Sequence, residues 1–207
     1  MRNKTFLIGI TGGMGAGKSA ASELFRKEGY PVLSADEFAR KVTEPGSPAM
    51  REISEQIGAE FENRDGSLNR AKLREKITAD PSARKKLEAI THPRIQALTK
   101  QEANRLFSEG NKVVFYEAPL LYEANSADAM DLIICVAADD NLRIKRVMDR
   151  DGVTEEDAKK LIAAQIPQSE KITRADFVLW NNEDAGKLRT FVEELLTKIN
   201  HRISANP

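Results

Sequence analysis

This sequence predicts an α/β fold built on a parallel sheet, and three observations predict it. Apolar runs of strand length recur along the chain, stretches with helical spacing separate them, and the runs are continuous where a half-exposed strand would alternate. The first run, Phe6 to Thr11, ends in glycines, and the second, Tyr30 to Ala35, follows the turn residue Gly29. Lys112 to Glu117 comes after Gly110-Asn111 and carries Val113, Val114, Phe115 and Tyr116. Leu132 to Ala137 is the fourth run, and the shorter Phe177 to Trp180 makes a fifth.

Helices fill the intervals. Ala20, Ala21, Leu24 and Phe25 stand at helical spacing after Gly17. Between Phe38 and Phe107 no strand pattern occurs, so this block reads as a helical insertion between the second and third strands. Asn69 is placed to cap a helix over Arg70 to Ile77, and Asp80-Pro81 supplies an N-cap followed by proline at the first helical position. Thr154 with Asp157 resembles a capping box before a helix over Glu155 to Gln165, and Asp184 to Asn200 forms a closing amphipathic helix. No internal repeat and no low-complexity tract interrupts this order.

Composition narrows the function. Lys plus Arg and Asp plus Glu both number 32 in 207 residues, so no general attraction for a polyanion exists and nucleic-acid coating is excluded as the main role. No stretch approaches the roughly 18 apolar residues of a membrane span. The start, Met1 to Thr5, is polar, and the apolar run behind it is too short for a secretory signal. The single cysteine, Cys135, lies within an apolar run, reads as a buried structural thiol and suits a reducing cytoplasm.

The sharpest motif is Gly12-Gly13-Met14-Gly15-Ala16-Gly17-Lys18-Ser19, a full match to the phosphate-binding P-loop pattern. Glycines allow positive φ and bring backbone N–H groups close to phosphate oxygens, and the helix that follows adds its positive end. Lys18 is placed to reach the β- and γ-phosphates of a nucleoside triphosphate, and the Ser19 hydroxyl to ligate magnesium. A guanine-specific Asn-Lys-x-Asp signature is absent: after Asn3-Lys4 and Asn111-Lys112 the aspartate positions hold Phe6 and Val114. A compact phosphotransferase remains.

Asp36 follows the second run and admits two readings: it caps the next helix, or it orients and deprotonates an acceptor hydroxyl. Arg143, Arg146 and Arg150 fall at i, i+3 and i+7 on one helical face. Such a row is either a solvated surface or a clamp for a transferring phosphoryl group. His92, before Pro93, reads more readily as a packed residue than as a catalyst, and His201 lies near a fraying end.

These residues, in order, resemble the dephospho-coenzyme A kinase family over nearly the whole length. The resemblance rests on Ile10 to Ser19, Ala35-Asp36-Glu37-Phe38-Ala39-Arg40, Glu44-Pro45-Gly46 and His92-Pro93. It continues through Pro119-Leu120-Leu121-Tyr122-Glu123, Arg143 to Arg150, Ala164-Gln165, Lys171 and Ala175-Asp176-Phe177. It implies ATP-dependent phosphorylation of the ribose 3′-hydroxyl of dephospho-coenzyme A, the last step of coenzyme A synthesis, by a cytoplasmic enzyme that uses Mg2+. It implies a P-loop core with a five-stranded parallel sheet (1–36, 110–138 and 170–207), an inserted helical substrate domain (37–109) and a small helical lid (139–169). Asp36, Lys18 and Arg143 then serve catalysis. Gly13, Met14, Gly15, Ala16, Gly17, Lys18, Ser19, Ala20, Arg146 and Arg150 hold ATP, and Ser19 ligates the metal. Asp36, Arg40, His92, Pro119, Leu120 and Glu123 meet the acceptor. Neither nucleic acid nor membrane is expected as a partner, and the resemblance decides no oligomeric state. Three positions depart from the family pattern. Ala20 replaces a threonine, Leu161 replaces a basic residue, and Glu117 stands where aspartate is frequent, bound through water to magnesium, to substrate or to neither. Another small-metabolite kinase of the same architecture and a nucleotide-sensing regulator are the competing readings.

Overall fold

The computed structural model describes residues 4–204, so Met1 to Asn3 of the polar start lie outside the described residues. The chain divides into two compact units, one made of the described residues up to Leu33 and from Ala103 onward, the other of Ser34–Glu102.

The first unit is a five-stranded parallel sheet in the order β2-β3-β1-β4-β5, flanked by helices. Its strands are β1 (Phe6–Gly12), β2 (Val32–Ser34), β3 (Val113–Glu117), β4 (Leu132–Ala137) and β5 (Phe177–Trp180). The central strand β1 pairs with β3 from Phe6↔Val113 to Ile10↔Glu117 and with β4 from Ile8↔Leu132 to Gly12↔Val136. A strand paired on both sides and covered on both faces has no polar face, which is why every residue of β4 is buried. Ile8, Ile10, Phe115, Ile134 and Val136 pack with Phe25 of α1 (Lys18–Lys27) and with Leu188, Val192 and Ile199 of the closing helix. Phe25 stacks on Phe115 with ring centroids 4.3 Å apart. Between β4 and β5 run α6 (Asp140–Asp151), α7 (Glu155–Ala163) and α8 (Gln168–Arg174), and α9 (Ala185–Ser204) closes the described chain.

The second unit holds α2 (Ala35–Val42), α3 (Pro48–Gln56), α4 (Arg70–Ala79) and most of α5 (Pro81–Ser108). Ala49, Ile53 and Ile90 form its core, with Leu68 and Leu87 packed against them. Arg94 of α5 donates to Glu52 of α3 at 2.6 Å.

The capping residues act as their sequence predicts. Asn69 accepts the Lys72 amide, Asp80 accepts those of Ser82 and Ala83, and Thr154 accepts that of Asp157. The structure adds a cap not assigned from the sequence: Asp184 accepts the Lys187 amide at the start of α9. Boundaries shift by a few residues: α4 runs two past Ile77, α7 stops at Ala163 before reaching Gln165, and α9 continues to Ser204. The second strand is the main correction. It spans only Val32–Ser34, because the Ser34 hydroxyl accepts the Glu37 amide at 3.3 Å and starts α2 at Ala35. Ser34 therefore takes the capping role that one reading gave to Asp36.

Candidate active site

The glycine-rich loop leaves the C-terminal end of β1 and opens α1 directly. Gly17 sits at φ +92, a left-handed conformation that costs glycine little, and a Cβ there would strike the Asn181 side-chain amide. No side chain caps α1, so the amides of its first turn face outward with the helix dipole behind them. Lys18, the first residue of α1, is buried, and its Nζ donates to the carbonyls of Gly12 and Gly13 at 3.0 Å each. The ammonium is thereby folded back along the loop that a triphosphate would occupy.

Residues far away in sequence hold that loop in shape. Arg143 of α6 is 4% exposed, donates through Nε to the Met14 carbonyl at 3.0 Å, and pairs with Asp140 at 2.8 Å. Gly13 is the residue that lets it approach, since a Cβ at Gly13 would collide with the guanidinium. Arg146 reaches the Gly15 carbonyl at 3.4 Å and the Asn181 carbonyl at 3.0 Å, while the Asn181 amide donates to Ala16 at 2.9 Å. Gln165, just beyond α7, accepts the Met14 amide at 3.0 Å. The arginine row is thus split: Arg143 and Arg146 engage the loop, and the exposed Arg150 instead makes two bonds of 2.7 and 2.6 Å to Asp151. A cleft of about 580 Å3 opens beside Arg143 and Gln165, walled by α6, α7 and α8 and bordered by Trp180.

On the other flank, the exposed Ser19 hydroxyl donates to Glu117 Oε1 at 3.0 Å, at the end of β3. A hydroxyl and a carboxylate side by side make a hard oxygen pair. Downstream, Pro119 and Glu123 meet at the ammonium of Lys171, a side chain with no exposed surface. Lys171 donates to the Pro119 carbonyl and to Glu123, both at 2.8 Å, and Glu123 also accepts the Ile166 amide at 3.2 Å. Leu120 is half-buried beside them, and its carbonyl accepts the Ala124 amide at 2.8 Å. Cys135 is fully buried, and burial pushes its thiol up to about 11.

Within the Ser34–Glu102 unit, Asp36 is exposed in the first turn of α2, and Arg40 is exposed one turn later on the same face. His92 is half-buried in α5, and burial holds its imidazole below the usual histidine pKa. Asn181, Gln165 and the Ser19–Glu117 pairing have no predicted role in the sequence. Only the P-loop amides and helix α6 are there to reveal them, once the fold brings them together.

A parallel sheet whose central strand delivers a P-loop, with arginines from a later helix closing on it, defines a P-loop phosphotransferase. The dephospho-CoA kinase family model matches residues 6–186. A dephospho-CoA kinase of Anaeromyxobacter dehalogenans is 43% identical over 175 residues, covering 84% of this chain and 83% of its own length. The chain belongs to the dephospho-CoA kinase family. Among solved structures, a Thermus thermophilus protein aligns with a TM-score of 0.77 at 34% identity, covering 94% of this chain and 98% of its own. A dephospho-CoA kinase of Campylobacter jejuni aligns at 0.71 and 26% identity over 96% and 98% of the two chains.

Proposed function

We propose that the chain carries out the reaction of its family with the loop, the α6 arginines and Asp36 in distinct roles. It is an ATP-dependent kinase that phosphorylates the ribose 3′-hydroxyl of dephospho-coenzyme A, giving coenzyme A and ADP. The observation that carries the reading is the complete P-loop clamped by Arg143, Arg146 and Asn181.

The amides of residues 13–20 and the Lys18 ammonium take the triphosphate oxygens, with Lys18 leaving the Gly12 and Gly13 carbonyls to do so. The Ser19 hydroxyl and the Glu117 carboxylate fit a magnesium ion and would hold it, where it would neutralise charge on the phosphates. Arg143 and Arg146, held against the loop at the Met14 and Gly15 carbonyls, stabilise the negative charge that spreads during transfer. Arg150 joins them only by releasing Asp151.

Asp36 accepts a hydrogen bond from the acceptor hydroxyl, aligns it for in-line attack and takes its proton as the new O–P bond forms. Meanwhile the bond from the γ-phosphorus to the β–γ bridging oxygen breaks, and ADP leaves with that oxygen. Arg40, His92, Pro119, Leu120 and Glu123 serve acceptor binding. Residues 139–169 move as a lid over the phosphates, and Gln165 gives up the Met14 amide when they do. The reaction runs in the cytoplasm, where the buried thiol of Cys135 stays reduced.

A coupled ADP-release assay with magnesium-ATP, run with and without dephospho-coenzyme A, tests the reaction, with the product identified by mass. Acceptor-dependent turnover and one added phosphate are expected. Asp36→Asn should lose most turnover yet bind ATP as before; near-normal turnover in that variant would remove Asp36 from the mechanism.

A further inference from the structure

Helix α2 presents Asp36, Arg40 and Thr43 along one face at i, i+4 and i+7, so the face runs from a carboxylate to a guanidinium and then to a hydroxyl. Thr43 closes the helix: it is 4% exposed and its Oγ1 donates to the Ala39 carbonyl at 2.7 Å. A second guanidinium docks there from another element. Arg70, the first residue of α4, donates through Nη2 to Thr43 Oγ1 at 2.8 Å. Burial, and then the charge of Arg40, hold the Arg70 pKa below its usual value, which places the two cations within electrostatic reach of each other. Arginine nevertheless stays protonated.

Two like charges gathered on one face cost free energy unless something offsets them. Among the described residues neither Arg40 nor Arg70 is ion-paired with a carboxylate, although Asp36 stands one turn before Arg40 and Glu44 one turn after it. Neighbouring guanidiniums match phosphate oxygens through their planar N–H donors. The helical rise sets Arg40 about 6 Å beyond Asp36 and Thr43 about 10 Å beyond it. Dephospho-coenzyme A carries a diphosphate on the same ribose as its accepting hydroxyl, so the two groups lie within this span.

We propose that Arg40 and Arg70 form a two-guanidinium subsite that grips the diphosphate of the acceptor beside Asp36. The inference rests on the reading of Asp36 as the residue that orients the acceptor hydroxyl. The P-loop holds the phosphates of ATP; this pair holds those of the second substrate. Binding at this second point fixes the ribose against rotation, and the cationic pair selects acceptors with a 5′ diphosphate over plain nucleosides.

The test is steady-state kinetics on the full chain with Arg40→Gln and Arg70→Gln, together with calorimetric binding of dephospho-coenzyme A in the absence of ATP. Each variant should raise the KM for dephospho-coenzyme A by about 10- to 100-fold, the scale of a lost charge-assisted hydrogen bond, while the KM for ATP stays unchanged. Arg40 is exposed, so its replacement leaves the fold intact, and Thr43→Val separates the loss of a contact within the unit from the loss of the charge. Thr43→Val is expected to raise the KM far less than Arg70→Gln. An unchanged acceptor KM in Arg40→Gln overturns the subsite, as does an ATP KM that rises in step with it. Silence of the unmutated enzyme on dephospho-coenzyme A would instead overturn the acceptor assignment, and the subsite with it.

Discussion

Lys171, whose side chain has no exposed surface, pairs with Glu123 at 2.8 Å, and Glu123 is only 14% exposed. Burying two ions is costly, and the cost is met here by short bonds to each other, to the Pro119 carbonyl and to the Ile166 amide. Glu123 Oε2 has no hydrogen-bond partner, so the carboxylate depends on Lys171 through its other oxygen. Lys171→Met therefore leaves an uncompensated buried carboxylate, and the expected loss is about 3–5 kcal/mol, read as a lower urea midpoint at unchanged slope. Pairing it with Glu123→Leu should recover most of that loss, since the apolar pair removes both desolvation penalties. No recovery would mean that the bonds to Pro119 and Ile166, and not the charge balance, carry the stability. Lys171 was visible in the sequence only as part of a resemblance; nothing local in its surroundings announces a buried cation.

Helix α2 is eight residues long, too short to hold together on propensity alone. Phe38 is its single buried residue, Ser34 caps its start, and Thr43 closes its end against Arg70. Ser34→Ala should cost about 1 kcal/mol of stability, the usual value of a hydroxyl cap. Asp36 lies in the turn that this cap secures, so turnover should fall while the KM for ATP holds. A stability loss with unchanged turnover would show that the first turn of α2 does not need its cap to position Asp36. The strand and helix signals here overlap. Tyr30 to Ala35 has a strand's apolar run, yet Ser34 with Asp36 and Glu37 in the turn behind it carries a helix start, and the helix wins at Ala35 because its cap bond is local.

At the scale of the molecule, the P-loop couples ligand binding to stability of the whole sheet unit. The loop ends β1, the strand paired on both sides, and Asn181 and Arg146 tie it to the segment after β5. A ligand bound only by the folded state at about 100 times its Kd stabilises by about 2.7 kcal/mol, which for a chain of this size is a Tm rise of about 5–10 °C. Magnesium-ATP should produce that rise in the wild-type protein, and Lys18→Ala should abolish most of it without lowering the ligand-free Tm by a comparable amount. A full shift retained in Lys18→Ala would remove Lys18 from phosphate binding.

Sequence alone determined the local features of this protein: the five apolar runs, the capping residues Asn69, Asp80 and Thr154, and the phosphate loop from Gly12 to Ser19. Each depends on neighbours a few residues apart, so hydrophobic period, cap chemistry and the tolerance of glycine for positive φ suffice to read them. Only the tertiary structure decided which distant groups meet. It chose Arg143 and Arg146 over Arg150 for the loop, set Glu117 against Ser19 and Asn181 against Ala16, and brought Arg70 to the end of α2 beside Arg40. The helical spacing that puts three arginines on one face does not say which of them the sheet will bring to the loop. Those contacts span up to 165 residues of sequence, and strand order with helix packing, which no local pattern encodes, brings their partners together.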